Sequence, residues 1–170
     1  MLGLNRYKVS VEDPHSGWQT EYKKIASEVR VATSHIDLRM EHIGSTSVPG
    51  LAAKPVVDVG ILLSDPNDFE ALENALDSIG LEYRGDKGTN GGHLFIRESG
   101  PEIRTHHIHV YFAGASEWDR YIIFRDRLRS NPDLRDEYAA LKRDLARRYE
   151  DDRFAYMAGK TDFVNRVLAF

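Results

Sequence analysis

The chain has 170 residues, 41% of them hydrophobic and 29% charged, which fits one soluble globular domain over residues 1–170. A net charge of −4 argues against non-specific nucleic-acid binding, and the absence of cysteine excludes disulfides, thiolate nucleophiles and Cys-ligated metal centres. With no leader-like start and no apolar run of membrane-spanning length, a cytoplasmic protein without a membrane partner is expected.

Ser16-Gly17-Trp18-Gln19 has capping-box spacing and predicts a helix with Tyr22, Ile25, Ala26 and Val29 as its buried stripe. That helix should end before Arg39, and Met40 to Ile43 reads as a short strand. Val56 to Leu63 is nearly all apolar, as in a strand covered on both faces. Asp65-Pro66 with Asp68 starts a helix whose inner face is Phe69, Leu72, Ala75, Leu76 and Ile79, and Gly80 stops it. Leu81 to Arg84 reads as a third strand and Gly85 to Gly92 as a polar loop. His93 to Arg97 and Ile103 to Phe112 then form a hairpin through Glu98–Glu102. The last third is helical: Ser116 caps one helix, Asn131-Pro132 opens another running toward Tyr149, and Thr161 opens a third ending near Phe170. The predicted fold class is therefore α+β, a mixed sheet flanked by helices with a helical C-terminal third.

Three features carry chemistry. The first is the turn Gly44-Ser45-Thr46-Ser47, followed by Lys54. Glycine admits a close backbone approach, the hydroxyls and free N–H groups suit a phosphate, and Lys54 could neutralise it; an ordinary structural turn is the alternative. The second is Asp58, a carboxylate in an apolar strand, which is costly to bury unless paired or bound to metal. Alternation puts Val57, Val59 and Ile61 on one face and Asp58 with Gly60 on the other. Gly60 leaves space there for a metal, water, ligand or packed neighbour, and Asp58 could simply pair with Lys54 or an arginine.

The third feature is His106-His107-Ile108-His109. Ile108, Val110 and Phe112 share a core face, while Thr105, His107, His109 and Tyr111 share the other. His107 and His109 could bind a divalent metal with Asp58 as third ligand, or hydrogen-bond to carboxylates on a solvated face. Either way His107 is placed for general acid–base catalysis. From Glu117 to Glu150, nine Lys/Arg balance eight Asp/Glu, which reads as a solvated, ion-paired surface. Trp18, Tyr121, Tyr138, Phe154 and Tyr156 read as packing residues.

The segment Glu41 to Pro55 with Asp58 resembles the signature of the GrpB-like family, which is grouped with the nucleotidyltransferases and also occurs fused to dephospho-CoA kinase. His106–Val110, Phe124-Arg125-Asp126, Tyr156 with Gly159-Lys160, and Asp13-Pro14 with Trp18 resemble its other motifs, so the match spans nearly the whole chain. The resemblance implies a nucleotidyltransferase-like mixed sheet with Gly44 and Ser45 in the phosphate turn and Asp58 as the first metal-binding acid. The second acid falls on Gly60, and His107 or His109 takes the third position. Three activities follow as expectations. One is a metal-dependent nucleotidyl or phosphoryl transferase using a nucleotide and a small-molecule acceptor. The others are a nucleotide-binding regulatory domain without transfer chemistry and a His/Asp metal-dependent hydrolase. The cofactor would be a divalent metal, Mg or Mn, with imidazole ligands shifting the preference toward Mn, Zn or Ni.

Overall fold

A computed structural model describes residues 2–87 and 92–169. The strands are β1 (Leu4–Asn5), β2 (Leu38–Ile43), β3 (Val57–Leu63), β4 (Glu82–Asp86), β5 (His93–Gly100) and β6 (Ile103–Phe112). The helices are α1 (Gly17–Ala32), α2 (Phe69–Ser78), α3 (Ser116–Ser130), α4 (Pro132–Arg148), α5 (Arg153–Ala158) and α6 (Thr161–Leu168). The sheet runs β2-β3-β6-β5-β4, with β1 added against the start of β6. Among the described residues only the β3–β6 pair is parallel; the remaining pairs are antiparallel. The mixed sheet and helical C-terminal region are those the sequence predicts.

The two-residue period of the strands sorts their side chains onto two faces. Val57, Val59, Ile61, Ile108, Val110 and Phe95 pack beneath Ile25 and Val29 of α1 and Leu72 and Leu76 of α2. Asp58, Gly60, His107 and His109 occupy the opposite face, where α3 and the C-terminal helices stand. Leu128, Tyr138, Phe163 and Val167 of those helices form a second core with Val48 and Leu51 of the loop between β2 and β3. The site therefore lies between sheet and helices, walled on one side by the sheet itself.

Several local readings change. Ser16 forms no side-chain cap; Gln19 turns away from it and presents Oε1 to His42 Nδ1 at 3.1 Å. β2 starts two residues before Met40. The cap of α3 is Ala115 rather than Ser116, whereas Asn131 caps α4 by accepting from Leu134 N at 3.1 Å. β1 and α5 were not anticipated, both being too short for periodicity to declare. Residues 88–91 of the Gly85–Gly92 loop, and Phe170, lie outside the described residues. Among the described residues no helix is long and apolar enough to cross a membrane.

Candidate functional site

The parallel register sets Asp58 opposite His107 and Gly60 opposite His109. Asp58 is 27% exposed, and its Oδ1 lies 3.2 Å from His107 Nδ1 and 3.5 Å from His109 Nε2. Burial opposes ionisation of this carboxyl, but the hydrogen bonds and charges of His107 and His109 outweigh it and hold the group well below the usual carboxylate range. Asp58 thus pairs with the two imidazoles rather than with Lys54 or an arginine. One ligand atom from each of the three residues lies within 4.8 Å of the others, so the triad could hold a metal ion. Two imidazoles and one carboxylate suit Mn, Zn or Ni better than Mg, which prefers an all-oxygen shell.

Gly44 approaches this carboxylate from β2. Its φ of +67° favours glycine. A Cβ there would also stand 2.5 Å from Asp58 Oδ2. Ser45 to Ser47 then form one 3₁₀ turn. Gly44 and Ser45 line a cavity of about 510 Å³ with Asp58, His107 and His109. Thr46 and Ser47 do not: the Thr46 hydroxyl bonds His42 Nε2 at 3.1 Å, and the Ser47 hydroxyl donates to the Gly44 carbonyl. Of the four turn residues expected to offer donors to a phosphate, Gly44 and Ser45 line the cavity, while the hydroxyls of Thr46 and Ser47 hold the turn.

The turn is braced from outside. Arg125, 7% exposed, donates from Nη1 to Glu41 Oε2 at 2.9 Å and to the His42 carbonyl at 3.0 Å. Arg129 Nη2 donates to the Ser47 carbonyl at 2.7 Å, and the buried Lys142 donates to the Ala52 carbonyl. The balanced charges of α3 and α4 are therefore not all solvated, since three of the cations fix the Gly-Ser loop. His42 stacks on Tyr22 with ring centres 4.4 Å apart. Facing the Gln19 carbonyl oxygen, its Nδ1 must donate, leaving Nε2 to accept from Thr46. Burial pushes its pKa from 6.5 down to about 4, so it stays neutral.

Gly60 does not leave an open place for a second acid. A Cβ there would meet Trp118 Cζ3 at 2.9 Å and two Ile43 carbons at 3.3 Å. Trp118 of α3, 4% exposed, fills that space. Of the possibilities open in the sequence, the packed neighbour is the one realised.

Lys54 also lines the cavity. Burial pushes its pKa down to about 8, helped by the charges of Lys160 and Arg153. The wall carries eight lysine and arginine side chains against two carboxylates, Asp58 and Glu117. An acidic protein thus lines one cavity with more cations than carboxylates, an arrangement that suits anionic ligands. Tyr121 stands beside His109, ring centres 5.6 Å apart, and lines the cavity rather than only packing. Trp18, Tyr138 and Tyr156 are buried as expected, whereas Phe154 is 75% exposed. Lys160 and Arg153 also line the cavity, and the residue pattern alone does not single them out for chemistry.

Residues 8–169 match the family described as GrpB protein. The chain belongs to the GrpB family. It is 37% identical over 166 residues to UPF0157 protein PA4798 of Pseudomonas aeruginosa, covering 96% of this chain and 67% of that protein. It is 27% identical to a dephospho-CoA kinase of Mycolicibacterium paratuberculosis, covering 92% of this chain but 44% of that protein. Among solved structures, conserved protein GrpB from Enterococcus faecalis superposes with a TM-score of 0.84 at 33% identity, covering 93% of this chain and 94% of that one. The Cid1 poly(U) polymerase bound to Mg 3′-dATP gives a TM-score of 0.51 at 15% identity over 75% of this chain and 40% of that one, a likeness of fold alone. The GrpB fold is thus nucleotidyltransferase-like.

Proposed function

We propose that this GrpB-family protein binds a nucleotide in the 510 Å³ cavity and transfers a nucleotidyl or phosphoryl group to a small-molecule acceptor. One observation carries the reading: an Asp58–His107–His109 triad meets the Gly44–Ser45 turn in a cavity walled by cations. The triad would hold one divalent ion, Mn, Zn or Ni in preference to Mg, and a bound ion would supply charge stabilisation at the phosphate. Gly44 allows the phosphate close to the backbone, Ser45 offers a donor, and Lys54 faces its negative charge. Asp58 orients the His107 imidazole; as a ligand of the ion His107 has no free nitrogen lone pair, so the acceptor hydroxyl gives its proton to solvent.

The packing of Trp118 at Gly60 favours a second reading, a nucleotide-binding regulatory domain without transfer activity, because it removes the place for a second carboxylate. Titration calorimetry of ATP with Mn²⁺ into untagged protein tests both, and absence of binding overturns both. Pyrophosphate or phosphate release across an acceptor panel favours transfer; binding without release favours the regulatory domain. Asp58→Ala should abolish metal binding, and unchanged metal content would refute the ligand assignment.

A further inference from the structure

Two lysines of the candidate cavity share one aromatic ring and have no counter-charge. Lys54 Nζ lies 4.3 Å from the centre of the Tyr156 ring and Lys160 Nζ 4.6 Å from the same centre. The two ammonium groups are therefore no farther apart than the sum of those distances. Among the described residues neither has a carboxylate at ion-pair distance, whereas Lys8 meets Asp151, Arg104 meets Glu98 and Arg125 meets Glu41. Asp58 attracts both lysines from a distance, but its Oδ1 is engaged by His107 and His109. Burial lowers the pKa of both lysines, and the charge of Lys160 lowers that of Lys54 further.

The arrangement is specified rather than incidental. Gly159 lets the link between α5 and α6 press onto α4: a Cβ there would meet Leu145 Cδ2 at 2.5 Å. Lys160 is the next residue, and both lysines line the cavity beside Gly44 and Ser45. Two cations that share one ring, lack a paired acid and line one cavity form a receptor for an anion of more than one charge.

Trp118 at Gly60 gives this pair a chemical purpose. In two-metal transfer one ion stabilises the attacking oxygen and the other the leaving group. Here the second acid is absent and its space is filled. We infer that Lys54 and Lys160 form a pyrophosphate clamp that takes over the charge-stabilising role of a second metal ion. The inference rests on the nucleotidyl-transfer reading above. In that step the acceptor hydroxyl oxygen bonds to the α-phosphorus of a nucleoside triphosphate. The bond from that phosphorus to the bridging oxygen breaks, its electron pair leaves on pyrophosphate, and the hydroxyl proton passes to solvent. The lysines meet the negative charge gained by the pyrophosphate oxygens.

The test is calorimetric titration of inorganic pyrophosphate into the untagged full chain in EDTA, so that no metal contributes. Wild type should bind, and more weakly as salt rises. Lys160→Gln and Lys54→Gln should each weaken binding roughly tenfold or more, as expected for loss of a charge-assisted contact. Lys160→Arg should retain it, and Asp58→Asn should bind at least as tightly as wild type. Urea midpoints confirm that each variant is folded. No binding by wild type in EDTA, unchanged binding by Lys160→Gln, or loss of binding in Asp58→Asn would each overturn the clamp. A parallel titration of ATP with Mn²⁺ separates the two ideas. Nucleotide binding without metal-free pyrophosphate binding removes the clamp and keeps the nucleotide reading. Pyrophosphate binding without nucleotide binding keeps the anion receptor and removes the nucleotide reading.

Discussion

Replacing Lys54 by methionine should make the protein more stable while weakening the proposed anion clamp. Methionine keeps the length and apolar stem of lysine and removes the ammonium. In the folded chain burial first, then the charges of Lys160 and Arg153, lower the Lys54 pKa from 10.5 to about 8. That difference corresponds to a penalty of about 3 kcal/mol for keeping the group charged at pH 7. The cation–π contact with Tyr156 returns about 0.5–2 kcal/mol. The net gain from Lys54→Met at pH 7 is therefore about 1–3 kcal/mol. Because the folded pKa lies below the unfolded one, the native state holds fewer protons between pH 8 and pH 10.5, and wild-type stability rises across that window. Below pH 8 the penalty is complete; above 10.5 it is gone. Urea unfolding of both proteins at pH 7 and near pH 10.5 measures this directly. Expected is a variant advantage at the lower pH that vanishes at the higher. A variant less stable at pH 7, or a difference independent of pH, would refute the argument that Lys54 is held charged against its environment.

Gly60→Ala tests the Trp118 packing: the unfolded-state gain of about 0.4–1 kcal/mol should lose to about 1–3 kcal/mol of overpacking. Trp118→Leu in the same background should recover part of that loss, and additive effects in the urea double-mutant cycle would show that the two positions do not touch. Gly44→Ala should cost about 1–3 kcal/mol by urea unfolding, from its positive φ, the crowding of Asp58, or both; a neutral substitution would contradict the turn geometry. The His42 ring should titrate near pH 4 by NMR, so stability tied to its neutral form is present above pH 6.5 and lost as pH falls from 6.5 towards 4. A midpoint at 6.5 would mean that the His42–Gln19–Thr46 contacts do not bury it.

Much of the fold was legible because alternation and helical spacing report which face a residue buries. Val57, Val59, Ile61, Ile108 and Val110 fall on the core face, and Asp58, His107 and His109 share the other, as the two-residue period requires. What period cannot report is which distant residue fills a gap. Gly60 marks missing bulk, but only the docking of α3 reveals that Trp118 supplies it. Likewise Ser16 and Gln19 have capping-box spacing, yet Gln19 finds a partner 23 positions away. The ion balance of α3 and α4 predicts a solvated surface on average and hides Arg125 and Lys142, which are exceptions chosen by tertiary contact. Lys160 is visible in the sequence only as part of a motif, because its place in the cavity depends on Gly159 fitting against Leu145.

The parallel pairing of β3 with β6 ties the meeting of the candidate ligands to folding itself. Asp58 and His107 are 49 positions apart, and nothing local brings them together. They meet only when β3 and β6 align in one register, and a slip of one residue would turn both histidines to the opposite face. An ion shared by the three side chains would therefore pin that alignment and favour the folded chain by mass action. Metal occupancy would then report that the sheet has closed correctly before it reports any chemistry.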